Sequence, residues 1–69
     1  MINVSALKTG NIIKSLVDNE AKGLKIGDTL RVVDTGYSCW DRMHYADCET
    51  DQGFTVEIMK NFRDFELVG

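Results

Sequence analysis

The sequence predicts a small all-β domain of about five antiparallel strands, and three observations carry that expectation. The first is the stretch Gly23–Asp34, where a tight turn, Lys25-Ile26-Gly27-Asp28, runs directly into the alternating segment Thr29–Val33. The second is that the same alternation of apolar and polar residues recurs at Phe54–Met59 and Phe65–Val68. A period of two marks a half-buried strand, whereas a helix repeats every three or four residues. The third is Thr50-Asp51-Gln52-Gly53, a turn with glycine where a positive φ is easiest. Such a turn sets the residues before it antiparallel to Phe54–Met59.

Taken in order, residues 1–10 read as an N-terminal extension in which Ile2 and Val4 alternate with polar neighbours and Thr9-Gly10 ends the segment. From Asn11 to Asp18 two templates compete. Ile12, Ile13, Leu16 and Val17 fit a helix ending at Lys22-Gly23. As a strand, the same segment sets Ile12, Lys14 and Leu16 against Ile13, Ser15 and Val17. Local pattern slightly favours the helix; the regular strands that follow favour the strand, which is adopted here. Thr29–Asp34 is the next strand, with Leu30 and Val32 on one face. The hairpin about Thr50–Gly53 supplies two more, and Phe54, Val56 and Ile58 share a face. Asn61-Phe62-Arg63 reads as a short helical turn before the last strand, which holds Phe65 and Leu67. Five short strands with non-helical connections favour closure into a small barrel, which removes exposed sheet edges. The expected core is Leu16, Leu30, Val32, Phe54, Val56, Ile58, Phe65 and Leu67. Truncating a buried Phe or Leu costs about 2–5 kcal/mol, comparable with the ~3–5 kcal/mol that a core this small supplies. Phe54→Ala is therefore expected to be largely unfolded.

Sixty-nine residues allow one domain. Apolar residues make up 43% of the chain, enough for one core and too many for a disordered tail. Proline is absent, and the glycines are scattered, so nothing resembles a linker. No apolar run exceeds two residues, far short of the ~20 that a membrane span needs. The first ten residues lack a basic start and a long apolar stretch, so the expected location is a cytoplasm. Cys39 and Cys48 then read as free thiols. With His44 and Asp47 they form a sparse set of metal-ligand types, but structural zinc sites bring cysteines in closely spaced pairs. No metal is expected.

Charge is segregated. Residues 1–33 hold five basic and three acidic side chains, a balance of +2. Residues 34–57 hold Asp34, Asp41, Asp47, Glu49, Asp51 and Glu57 against Arg42, a balance of −5. The remainder is neutral, for a total of −3. This is the reverse of a phosphate-binding surface. His44 is the one histidine, and no glycine-rich phosphate loop, zinc-protease helix or paired catalytic carboxylates accompany it. The expectation is a non-enzymatic chain without catalytic residues or cofactor. Tyr37, Trp40, Met43 and Tyr45 fall within nine residues, interleaved with Asp41 and Arg42. Trp, Tyr, Arg and Met are enriched where proteins meet, so these six form the expected partner-binding surface. The surrounding carboxylates would speed encounter with a basic patch on that partner. The bland alternative is that Trp40 and one tyrosine cover an open end of the barrel. A nucleic-acid role would instead use Lys14, Lys22, Lys25 and Arg31, with Tyr37 or Trp40 stacking on bases; the net charge opposes it. No feature speaks for a structural role in a virion.

The segments KSLVDN (Lys14–Asn19), LKIGDTLRVV (Leu24–Val33), TDQG (Thr50–Gly53) and NFRDFELV (Asn61–Val68) resemble the small SH3-like barrel proteins encoded by bacteriophages and prophages. The resemblance spans most of the chain and rests on spacing and residue class. It implies an SH3-like barrel over residues 1–69, with the aromatic stretch forming a long second loop and the start of the third strand. It also implies a bacterial host cell and a host factor as the protein partner. The chain departs from that pattern in the long, acidic, aromatic insertion Thr35–Asp47 and in its first ten residues. Members of this group mostly lack an assigned activity, so the resemblance bears on fold more than on function.

Overall fold

Asn11–Asp18, where helix and strand compete, is extended. In the computed structural model, which describes residues 2–69, Ile12–Ser15 forms strand β1. The helix-ending signal at Lys22-Gly23 is real but serves a single 3-10 turn, Glu20–Lys22, whose Gly23 N–H donates to the Glu20 carbonyl at 3.1 Å. Four further strands follow: β2 (Thr29–Ser38), β3 (Met43–Thr50), β4 (Thr55–Ile58) and β5 (Phe65–Leu67). All pairings are antiparallel, in the order β4-β3-β2-β1-β5. The predicted turn at Asn61-Phe62-Arg63 is a 3-10 segment, Phe62–Asp64. The Thr50–Gly53 turn joins β3 to β4, and Gly53 takes φ 85° so that its N–H reaches the Thr50 carbonyl at 2.9 Å. Among the described residues no ladder joins β4 to β5, so the five strands form one open sheet with two edges. The edges are three and four residues long, and β5 carries a surface ion pair, Glu66 to Lys14 at 3.7 Å. Short, charged edges resist pairing with other chains.

Five of the eight expected core residues are buried: Leu30, Val32, Val56, Ile58 and Phe65. Three are not. Leu16 is 36% exposed because β1 turns its other face inward, burying Ile13 and Ser15. The Ser15 hydroxyl is accommodated there by donating to the Val17 carbonyl at 2.7 Å. Phe54, 58% exposed, belongs to the turn: its N–H donates to Thr50 Oγ1 at 3.1 Å, and it precedes β4. Leu67 lies on edge strand β5 opposite Ile13 and is 52% exposed.

The N-terminal segment fills much of the difference. Asn3 Oδ1 accepts from the Ser5 N–H and hydroxyl, capping a 3-10 turn over Val4–Ala6. The Ile2 N–H donates to the Phe62 carbonyl at 3.2 Å, and Gly10 and Asn11 exchange hydrogen bonds with Val32. So tied, Ile2, Val4 and Leu7 pack into the same core as Ile13, Ala46 and Cys48.

Thr35–Asp47 is not a loop. Its two arms extend the β2–β3 ladder, leaving only Cys39–Arg42 as the tip. A bulge at Val33 interrupts the register, since Val32 pairs with Cys48 but Asp34 pairs with Asp47. The extra residue inverts the parity of β2. Beyond it Thr35 and Tyr37, rather than Asp34 and Gly36, share the inward face with their partners Ala46 and His44.

Candidate functional site

The hairpin tip is built from local hydrogen bonds. Ser38 Oγ donates to Asp41 Oδ2 at 3.0 Å and accepts from the Asp41 N–H at 3.3 Å. Lys60 Nζ approaches Asp41 Oδ1 at 3.8 Å, linking the tip to the β4–β5 connection by a solvent-exposed pair of small energetic weight. These bonds hold Trp40 at the apex, 97% exposed. The loop closes through Arg42 at φ 54°, the one left-handed non-glycine residue among those described. That conformation costs an L-residue roughly 1 kcal/mol or more.

The structure divides the six predicted partner-binding residues. Tyr37 lies on the inward face, 53% exposed, its ring edge-on to His44 with centroids 5.1 Å apart. Tyr45 lies on the other face, across its pair partner Gly36. A Cβ at Gly36 would come within 2.5 Å of the Tyr45 hydroxyl, so the ring occupies space that only glycine leaves free. Asp41 is held by Ser38 and Lys60, and Trp40 stands alone.

Arg42 and Met43 help to line a groove of about 290 Å³ that the sequence did not reveal. It is lined further by the Ile2–Ser5 segment, by Tyr37 and His44, and by Met59 and Phe62. The alternation of Ile2 and Val4 was the available signal for one wall. Nothing local announced the bulge that turns Tyr37 toward it. The Arg63 guanidinium lies over Phe62, 5.7 Å from the ring centroid.

On the outer face, Asp34 lies opposite Asp47 and Asp47 opposite Glu57, a row of carboxylates across three strands. Like charges placed directly opposite destabilise a ladder. Two pairs further toward the core end, by contrast, Arg31 faces Glu49.

Cys39, His44 and Cys48 do not converge. Cys39 is exposed in the tip, whereas Cys48 is buried in the core. Among the described residues no three His, Cys, Asp or Glu side chains are grouped to hold a metal. Burial, and secondarily the Asp47 carboxylate, push the Cys48 thiol up from 9.0 to about 12. It therefore stays protonated and unreactive at neutral pH.

No helix among the described residues is long and apolar enough to cross a membrane. No family model matches this chain, and comparison with curated proteins and with solved structures gives no match either.

Proposed function

We propose that this protein is a non-enzymatic protein-interaction module whose contact surface centres on the end of the β2–β3 hairpin. One observation carries the reading: Trp40, the residue type most enriched in binding hot spots, stands almost fully exposed at the apex of a ladder that projects beyond the core. Tyr37 and Arg42 flank it, and a groove opens beside them. The five-stranded antiparallel order and the 3-10 turn before β5 support reading the fold as an SH3-like barrel of the phage-encoded kind. On that reading the partner is a bacterial host factor that the protein inhibits or redirects in the cytoplasm. A nucleic-acid role has less support. Lys14 pairs with Glu66 and Arg31 faces Glu49, both on the outer sheet face, away from Tyr37.

The test is binding of an identified partner, isolated from bacterial lysate on the wild-type protein, by wild type and Trp40→Ala. Trp40→Ala is expected to weaken that complex by about 2 kcal/mol or more while leaving the melting temperature unchanged. Unfolding of the variant would make Trp40 a structural residue, and unaltered affinity would move the contact surface elsewhere. A low-salt gel shift with mixed RNA and DNA is expected to be blank.

A further inference from the structure

Resting on the interaction-module reading, we infer that the groove beside the hairpin docks a linear segment of the protein partner that presents one apolar side chain next to a carboxylate. The walls supply the first half of that chemistry. Ile2, Val4 and Phe62 are apolar, and Met43 and Met59 beside them are the unbranched, adaptable side chains suited to varied apolar surfaces. At about 290 Å³ the groove holds one large side chain rather than a folded surface.

Two guanidinium groups supply the second half. Arg42 lines the groove, and Arg63, outside that lining, lies over the Phe62 ring that belongs to it. Among the described residues neither has a carboxylate within ion-pair distance, whereas Lys14 and Lys60 each have one. Arginine presents a planar fork that matches a carboxylate, and an unpaired arginine beside an apolar groove is placed to receive one. Arg42 also occupies a left-handed position where glycine would be relaxed. Retained backbone strain of this kind clusters at binding sites. The carboxylate row of Asp34, Asp47 and Glu57 lies on the opposite face of the sheet. Asp41, the carboxylate next in sequence to Arg42, is already engaged by Ser38 and Lys60. Nucleic acid is the poorer fit, because tracking a phosphate backbone needs many cations in line, whereas one arginine, Arg42, lines the groove and one more, Arg63, lies over its Phe62 ring.

The experiment uses small probes that carry this chemistry and follows the NMR signals of the Met43 and Met59 methyls and of the Val4 and Tyr37 amides. The probes are 3-phenylpropionate, 3-phenylpropylamine (a similar arylalkyl chain with the opposite charge) and uridine monophosphate. Saturable shifts confined to the groove are expected for 3-phenylpropionate at around 10 mM, the range open to so small a ligand. Its affinity should exceed that of the amine by about fivefold. Arg42→Gly, which relaxes the backbone and so keeps the fold, and Arg63→Gln should each reduce that preference. The inference is overturned if the amine binds equally well, if the nucleotide binds best, if the shifts fall outside the groove, or if no probe shifts these signals. Trp40 does not line the groove, so Trp40→Ala should leave probe binding unchanged. Loss of partner binding in Trp40→Ala alongside probe failure would sink the groove and spare the interaction module.

Discussion

The β2–β3 hairpin has two halves of opposite character, divided by the bulge at Val33. On the core side, Leu30 and Val32 are buried, Cys48 is buried opposite Val32, and Arg31 faces Glu49. Beyond the bulge, Asp34 opposes Asp47, Gly36 yields its space to Tyr45, Arg42 is held left-handed, and Trp40 meets only solvent. The first half buries its apolar residues on one face and sets opposite charges against each other on the other. The second breaks several rules of sheet stability at once: like charges paired, a glycine within a strand, a strained turn residue, an exposed indole. Where a short chain departs from local consistency in one place, that place is where function is to be sought. The difference also separates what each half can lose: one holds the fold, the other the proposed contacts.

The sharpest way to break this division is through the core. Phe65→Ala should cost about 3–5 kcal/mol, near the ~3–5 kcal/mol expected of so small a core, and its NMR spectrum should lose dispersion. A folded Phe65→Ala would mean that stability lies outside the rows identified here. Alkaline pH probes the same half more gently. The folded Cys48 thiol titrates at about 12, against 9.0 when exposed. In the unfolded chain the thiol therefore ionises first, and its contribution to stability is intact below pH 9.0 and lost as pH rises toward about 12. The loss approaches roughly 1.4 kcal/mol per pH unit. Urea titrations across that window should show a flatter decline for Cys48→Ala than for wild type; equal slopes would place the thiol in contact with water.

Phe54→Ala measures the turn end. The exposed ring predicts a loss under about 1 kcal/mol and a native-like spectrum, in place of the unfolding that the alternation of Phe54, Val56 and Ile58 suggested. The smallest effect belongs to the outer half: Asp47→Asn should raise stability by about 0.5 kcal/mol, most visibly at low salt, because it relieves repulsion from both Asp34 and Glu57. A decrease would mean that this carboxylate has a stabilising partner.

Strand positions were legible where apolar and polar residues alternate and a turn bounds them, as at Thr29–Val33 and around Thr50–Gly53. Which side of β1 faces inward was not, because Ile12–Leu16 is apolar on both faces and Ser15, a polar residue, takes the buried place. The candidate site was half legible. Its residue types, clustered between Tyr37 and Tyr45, stand out in the sequence. Their division between a groove, an apex and the opposite face does not, because it depends on one bulged residue and on a segment more than 30 residues away.

The sequence by itself determined the all-β class, the turns, the last helical turn and the segregation of charge, since each follows from backbone preferences and residue spacing within a few positions. The tertiary structure decided the rest. It recruited Ile2, Val4 and Leu7 into the core, left the sheet open between β4 and β5, and inverted the parity of β2 so that Tyr37 turned inward. Those outcomes depend on how distant segments share one small buried volume, a competition in which apolar area and available space, rather than local pattern, select the winner.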